Sequence, residues 1–248
     1  MKLGPVFDEG IEIQFVEGHT FAAYFYLLLL LAPVVFLALF LPSLDAQVWI
    51  GPAQLFKVSA SAAVLLVAYF SVRVANQEFA PWRFAPLKRW LRDEKLSPAA
   101  LARDQLAMLA LEILVFVLLS APLLVWAAAI ARVPIGSLLA VLLLIFFYAF
   151  AYGVWGLAAL ALWERKFESR QVFVRAFFIG AMIVTAAFYP PLNPVAFLLS
   201  FLDEKEMAAL MLWGRPWPAL ALHFEFHVLL LGLGLWLHRR ALRREIYP

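Results

Sequence analysis

Cysteine is missing from all 248 residues, which excludes disulfide bonds and thiolate chemistry and leaves the redox compartment undetermined. Charge is scarce as well: Asp, Glu, Lys and Arg make up 15% of the chain, against roughly 25% in soluble domains. There is no Gly-rich phosphate loop and no Gly-Lys-Ser/Thr, so the chain carries no nucleotide-hydrolysing motif of its own. No Ser nucleophile elbow appears, and no carboxylate pair has the spacing that hydrolysis needs. Nor is there a soluble domain or a nucleic-acid footprint. Residues 1–18 hold four acids and one Lys with no early apolar core, the reverse of a cleavable signal peptide.

What the chain does have is apolar length. Hydrophobic residues account for 65% of it, and the mean hydropathy is +0.88. Soluble domains carry roughly 45–50% apolar residues, so an all-α integral membrane protein is expected, with residues 1–248 as one transmembrane domain. About 20 residues cross a hydrocarbon core of roughly 30 Å. On that ruler the apolar runs predict six spans, at about 20–41, 53–74, 106–130, 137–163, 172–188 and 219–237. Span two is rich in Ala and Ser, small residues that let helices approach closely, and it is predicted to lie inside the bundle. The acidic lead, 1–18, fits an interfacial segment or, from its alternation at 11–15, a strand. Within 190–218 two apolar pieces, 194–202 and 207–213, are too short to span and predict one or two short re-entrant helices.

The bases set a topology. The intervals 73–103, 165–175 and 239–244 hold seven, four and four Lys or Arg, fifteen of the 20 in the chain. Lys and Arg accumulate on the cytoplasmic side, so both termini and the loop at 79–103 are expected there. The protein is then multi-pass in the cell's inner (cytoplasmic) membrane, with Arg132, Lys205 and Arg215 on the other side. Trp49, Trp82, Trp213 and Tyr247 fall near span ends, as interfacial anchors do.

Three stretches carry candidate chemistry. In the loop at 79–103, Leu87, Trp90 and Leu91 share one helical face over 86–96, while Lys88, Arg89, Arg92 and Asp93 cover the other. Such a helix either rests on the membrane or fills a groove in a soluble partner. Glu112, inside span three, either pairs with Arg103 or Arg175 or lines a path. His223 and His227 share a face at i, i+4 and could hold a metal ion, but Glu225 points the opposite way, so the three do not converge as ligands. The simpler reading puts them at the outer start of span six, half in the headgroups and half lining a cavity. No metal site is expected.

At spans two to five the chain resembles the membrane subunit of ATP-binding-cassette exporters of the type-2 permease family. The phrases that carry the resemblance are KLSPAALAR (95–103) before span three and LLSAPLL (118–124) inside it. Further on come VPIGSLL (133–139), GLAALALWERKFESR (156–170) and Asn193-Pro194 ahead of short helices. It covers about residues 50–240. The family's Gly-Thr-Leu phrase after span two and its basic N-terminal helix have no counterpart here. The resemblance implies a coupling helix in the 79–103 loop, with Leu87, Arg89, Trp90, Leu91, Arg92 and Leu96 engaging cytoplasmic ATPase subunits. It further implies a second permease subunit, identical or paralogous, and membrane lipid around both. ATP and Mg would sit in the partner ATPase, with no cofactor and no catalytic residue in this chain. An apolar path with few charges suits a lipidic or amphipathic cargo. Two other classes stand beside it. One is a membrane-embedded metal-dependent enzyme using His223, Glu225, His227 and Glu112; the other is a non-transporting anchor of an envelope assembly.

Overall fold

The computed structural model describes residues 4–38, 51–205, 207–212 and 215–244. The turn expected at 41–51 with Trp49, as well as Trp213 and Tyr247, lies outside them. Among the described residues six helices are long and apolar enough to cross a membrane. They are α2 (Phe21–Ala38), α3 (Gly51–Ala75), α4 (Pro98–Ile130), α5 (Ile135–Leu162), α6 (Phe167–Phe188) and α8 (Ala219–Arg244). The six expected spans are all found. Two helices run further than their apolar runs. α4 starts at Pro98 rather than near 106, because Ser97 accepts the Ala100 N–H at 3.2 Å and Pro98 suits the first turn. α8 continues to Arg244.

Burial identifies the middle of the bundle. In α3, 61% of the apolar window is enclosed, against 17% in α6 and in α8, so α3 is central and those two are peripheral. The sequence expectation for span two therefore holds. Small residues make it work: a Cβ on Gly156 of α5 would collide with the carbonyl oxygen of Val72, so the α3 and α5 backbones are in contact there. Ser59 and Ser71 donate to the carbonyls of Leu55 and Val67 at 2.7 Å, which satisfies both hydroxyls within α3 itself.

The lead is helical rather than extended. α1 (Pro5–Ile11) runs into a wide helical turn, Glu12–Val16, and lies along the first turns of α4, with Gly10 against Met108. Past α6, a tight turn at Pro190–Leu192 leads to α7 (Pro194–Leu202). Asn193 caps α7, accepting from the N–H groups of Val195 and Ala196, while its own amide donates to Met182 O at 2.9 Å and Thr185 Oγ1 at 3.1 Å. One short helix is thus present where one or two were expected. The second apolar piece instead supplies β1 (Leu210–Leu212), which pairs antiparallel with β2 (Arg215–Trp217) just beyond it. Pro216 and Pro218 are poorly placed for a helix, and an edge strand tolerates Pro.

Val6, Leu87, Leu101, Leu160 and Leu242 belong to a single apolar cluster. The start of the chain, the basic loop and the end of α8 therefore meet at one end of the bundle, called here the basic end.

Candidate functional site at the basic end of the bundle

After α3 the chain reverses through Gln77, whose φ of 56° is left-handed, and Glu78 anchors the turn. Its carboxylate receives Arg73 Nε at 2.8 Å and Arg175 Nη2 from α6 at 3.3 Å. The loop then forms a short wide helix, Arg89–Asp93, and a second left-handed residue, Lys95 (φ 52°), turns it into α4. The amphipathic helix expected at 86–96 is therefore present as a shorter segment. Its apolar face points inward. Leu87, Trp90 and Leu91 are 3–7% exposed and pack on Leu101 and Ala102 of α4, Leu160 and Ala161 of α5, and Ala241 and Leu242 of α8. Leu96 is half-buried against the same cluster, and the Leu87 N–H donates to Glu164 at 2.5 Å. The face expected to fill a partner's groove is thus occupied by the chain's own helix ends, the nearest apolar surface available to it. Lys88, Arg89, Arg92, Asp93, Glu94 and Lys95 face outward.

The acidic lead fastens to this loop. Glu17 accepts from Nε of Arg83 at 2.8 Å and also from its Nη2. The Arg83 guanidinium holds the Glu17 carboxyl below the usual carboxylate range. Glu9 accepts the Ala85 N–H at 3.1 Å. Burial raises its carboxyl above the usual range, against the pull of that hydrogen bond and of Arg89. Two glutamates eight residues apart are therefore shifted in opposite directions, one by a cation and one by desolvation.

Under the lead and the loop lies a cavity of about 50 Å³, lined in part by Glu9, Gln14, Trp90, Gln105 and Glu112. Glu112 is 1% exposed, and neither of its carboxylate oxygens has a hydrogen-bond partner. The expected pairing with Arg103 or Arg175 is not made. Arg103 is bonded instead to Asp104 at 3.0 Å and Arg175 to Glu78 at 3.3 Å. The side-chain oxygens of Gln14 and Gln105 are likewise buried without donors.

His223 and His227 lie elsewhere, on α8, and are fully buried rather than half in the headgroups. His223 Nδ1 is 2.7 Å from Pro191 O and His227 Nδ1 is 2.8 Å from His223 O, so both nitrogens must be the N–H. In a neutral ring Nε2 then accepts, from Tyr148 OH at 2.7 Å and from Tyr152 OH at 3.4 Å. Phe197 of α7 stacks on His223 with centroids 3.7 Å apart. Every ring nitrogen is occupied, Glu225 is exposed on the opposite face, and among the described residues no group of three or more His, Cys, Asp or Glu could hold a metal ion. Of the residues read as path-lining or structural, His223 and His227 join α8 to α5 through Tyr148 and Tyr152.

Sequence reasoning missed Glu9, Glu17, Gln14 and Gln105, and it missed Tyr148 and Tyr152. Two signals were available: Gln105 and Glu112 lie at i, i+7 on one helical face, and Tyr148 and Tyr152 repeat the i, i+4 spacing of the histidines. No protein-family model matches the chain, and no curated protein and no solved structure matches it either.

Proposed function

We propose that this chain is the permease subunit of an ATP-binding-cassette exporter, moving a lipidic or amphipathic cargo across the inner membrane with both termini on the cytoplasmic side. It catalyses no bond-breaking step itself. Separate ATPase subunits bind ATP and Mg, and a second permease subunit, identical or paralogous, completes the path. The observation that carries this reading is the attachment of the basic loop. Its exposed rim, with Lys88, Arg89 and Arg92, backs onto Leu87, Trp90 and Leu91, which are locked into the ends of α4, α5 and α8 at once. A push on the rim is therefore delivered to three spans as a rigid-body displacement, the movement that alternating access requires. A loop merely resting on lipid would need no such triple anchorage. The ATPase contact is then electrostatic at its rim, through Arg89 and Arg92, rather than an apolar knob in a groove.

The test is to co-purify the ATPase with the wild-type chain and with a Lys88→Glu, Arg89→Glu, Arg92→Glu variant, and to measure ATP turnover in lipid. The expected result is loss of the ATPase, or turnover no longer stimulated by cargo, with the fold unchanged. Stoichiometric ATPase and normal coupled turnover in the triple variant would overturn the coupling role. The ring nitrogens of His223 and His227 are engaged by Tyr148, Tyr152 and backbone carbonyls, which gives the metal-dependent enzyme reading no support.

A further inference from the structure

The Glu112 cavity contains acceptors and no donor cation. Glu112 presents both carboxylate oxygens without a partner, and the side-chain oxygens of Gln14 and Gln105 are in the same state. All three residues line one space of about 50 Å³. One water needs roughly 10–15 Å³ of such space, so there is room for a small ion with water beside it. No Lys or Arg lines the cavity among the described residues. Arg73 and Arg175 are bonded to Glu78, Arg83 to Glu17, and Arg103 to Asp104.

Of the titratable groups, Glu9 faces the cavity from α1, where its carboxylate is already bonded to Ala85. Tyr24 of α2 does not line the cavity, and its hydroxyl is also buried without a partner. The α3 and α5 walls, Val74, Ala75, Leu157 and Leu160, are apolar, and α8 does not reach the cavity. An unpaired carboxylate in such a place is strongly disfavoured.

We infer that the Glu112 cavity is a binding site for one small monovalent cation, either a proton held on Glu112 with water or an alkali-metal ion coordinated by Glu112, Gln14 and Gln105. Glu112 is the lining carboxylate left without any hydrogen-bond partner, and a divalent ion in an oxygen cage ordinarily draws on more carboxylates. Oxygen-only donors suit a hard ion. The occupant would tie α4 to the lead, which carries Gln14, and would sit directly beneath Trp90 of the loop. Loading the site would therefore stiffen the joint between the basic rim and the bundle. The inference stands independently of the transporter reading and is tested on the purified chain alone.

The experiment compares wild type and Glu112→Gln in lipid nanodiscs, by thermal unfolding in NaCl, KCl or choline chloride and across pH 5–9. Infrared spectra are recorded in parallel for a protonated-carboxyl band. An alkali-ion occupant gives a saturable rise in the wild-type midpoint with Na⁺ or K⁺ but not choline, absent in Glu112→Gln. A proton gives no salt response, a wild-type midpoint that falls as pH rises, and a protonated-carboxyl band missing from the variant. If wild type and variant respond identically to salts and to pH, and no carboxyl band separates them, the inference is overturned. Should Glu112→Gln not be recovered folded, Gln14→Leu and Gln105→Leu carry the same comparison. Both must weaken the salt response or shift the pH response, and an unchanged response in both is equally fatal.

Discussion

The hydroxyl of Tyr148 stands 2.7 Å from Nε2 of His223, and one turn further on Tyr152 faces His227 at 3.4 Å. Trp155 then donates to the Leu230 carbonyl at 3.2 Å. The three pairs share one sequence offset, so α5 and α8 run parallel in a fixed register. Parallel fourth and sixth spans are what an alternating six-span path requires. The pairs also explain how α8 is held although little of it is enclosed: its polar contacts have no competing solvent inside the bundle.

Tyr148→Phe should lower stability by about 1 kcal/mol, because it removes the donor to a buried ring nitrogen. Unfolding in micelles measures this. Added Zn²⁺ should leave the wild-type midpoint unchanged, since both histidines are already spoken for; a zinc-dependent rise would revive a metal role.

Gly156→Ala should cost about 1–3 kcal/mol, since the new methyl meets the Val72 backbone rather than a movable side chain. Gly180→Ala, in α6 with nothing within 4 Å, should stabilise by about 0.5–1 kcal/mol through helix propensity. Opposite signs for two Gly→Ala changes, read from the same unfolding assay, are the expected outcome.

Docking of the lead should pass through an optimum in pH. Glu17 has a lowered carboxyl, so its contribution is present above the ordinary value of about 4.3 and is lost as pH falls through the lowered one. Glu9 has a raised carboxyl, so its contribution is present below about 4.3 and is lost as pH rises through the raised value. Hydrogen exchange of residues 4–17, corrected for intrinsic rates, should show protection weakening at both ends. Glu9→Gln should remove only the upper limb. Protection that rises steadily with pH in wild type would contradict the burial of Glu9.

Trp90→Asp should unfold the basic end rather than merely block a partner. Trp90 is 7% exposed within the cluster that joins α4, α5 and α8, and replacing such an aromatic commonly costs about 3–5 kcal/mol before the new charge is counted. Size-exclusion profiles and limited proteolysis of the loop report it. A monodisperse, protease-resistant Trp90→Asp protein would mean that the face is free.

The absence of cysteine makes the orientation directly measurable. A single Arg89→Cys or Glu168→Cys should be labelled only after the membrane is opened, the outcome expected if the basic end is cytoplasmic. Labelling in intact cells would invert the topology.

The six spans were legible in the sequence because crossing a bilayer is a local demand: enough consecutive apolar residues, with nothing far away needed to meet it. The central place of α3 was legible for a related reason, since Ala, Ser and Gly mark where backbones touch. The loop helix was legible as an amphipathic pattern, but a period of 3.6 says only that an apolar face exists. The cover over Leu87, Trp90 and Leu91 was decided by Leu160, Ala161, Ala241 and Leu242, up to about 150 residues away in sequence. The same holds for charge. The four acids of the lead were plain to see, yet only the fold set Glu17 against Arg83 and Glu9 under the loop, and drew Arg103 and Arg175 to other carboxylates. Composition along the chain determined which segments leave water; the packing of distant segments determined which buried groups found partners, and it left Glu112 without one.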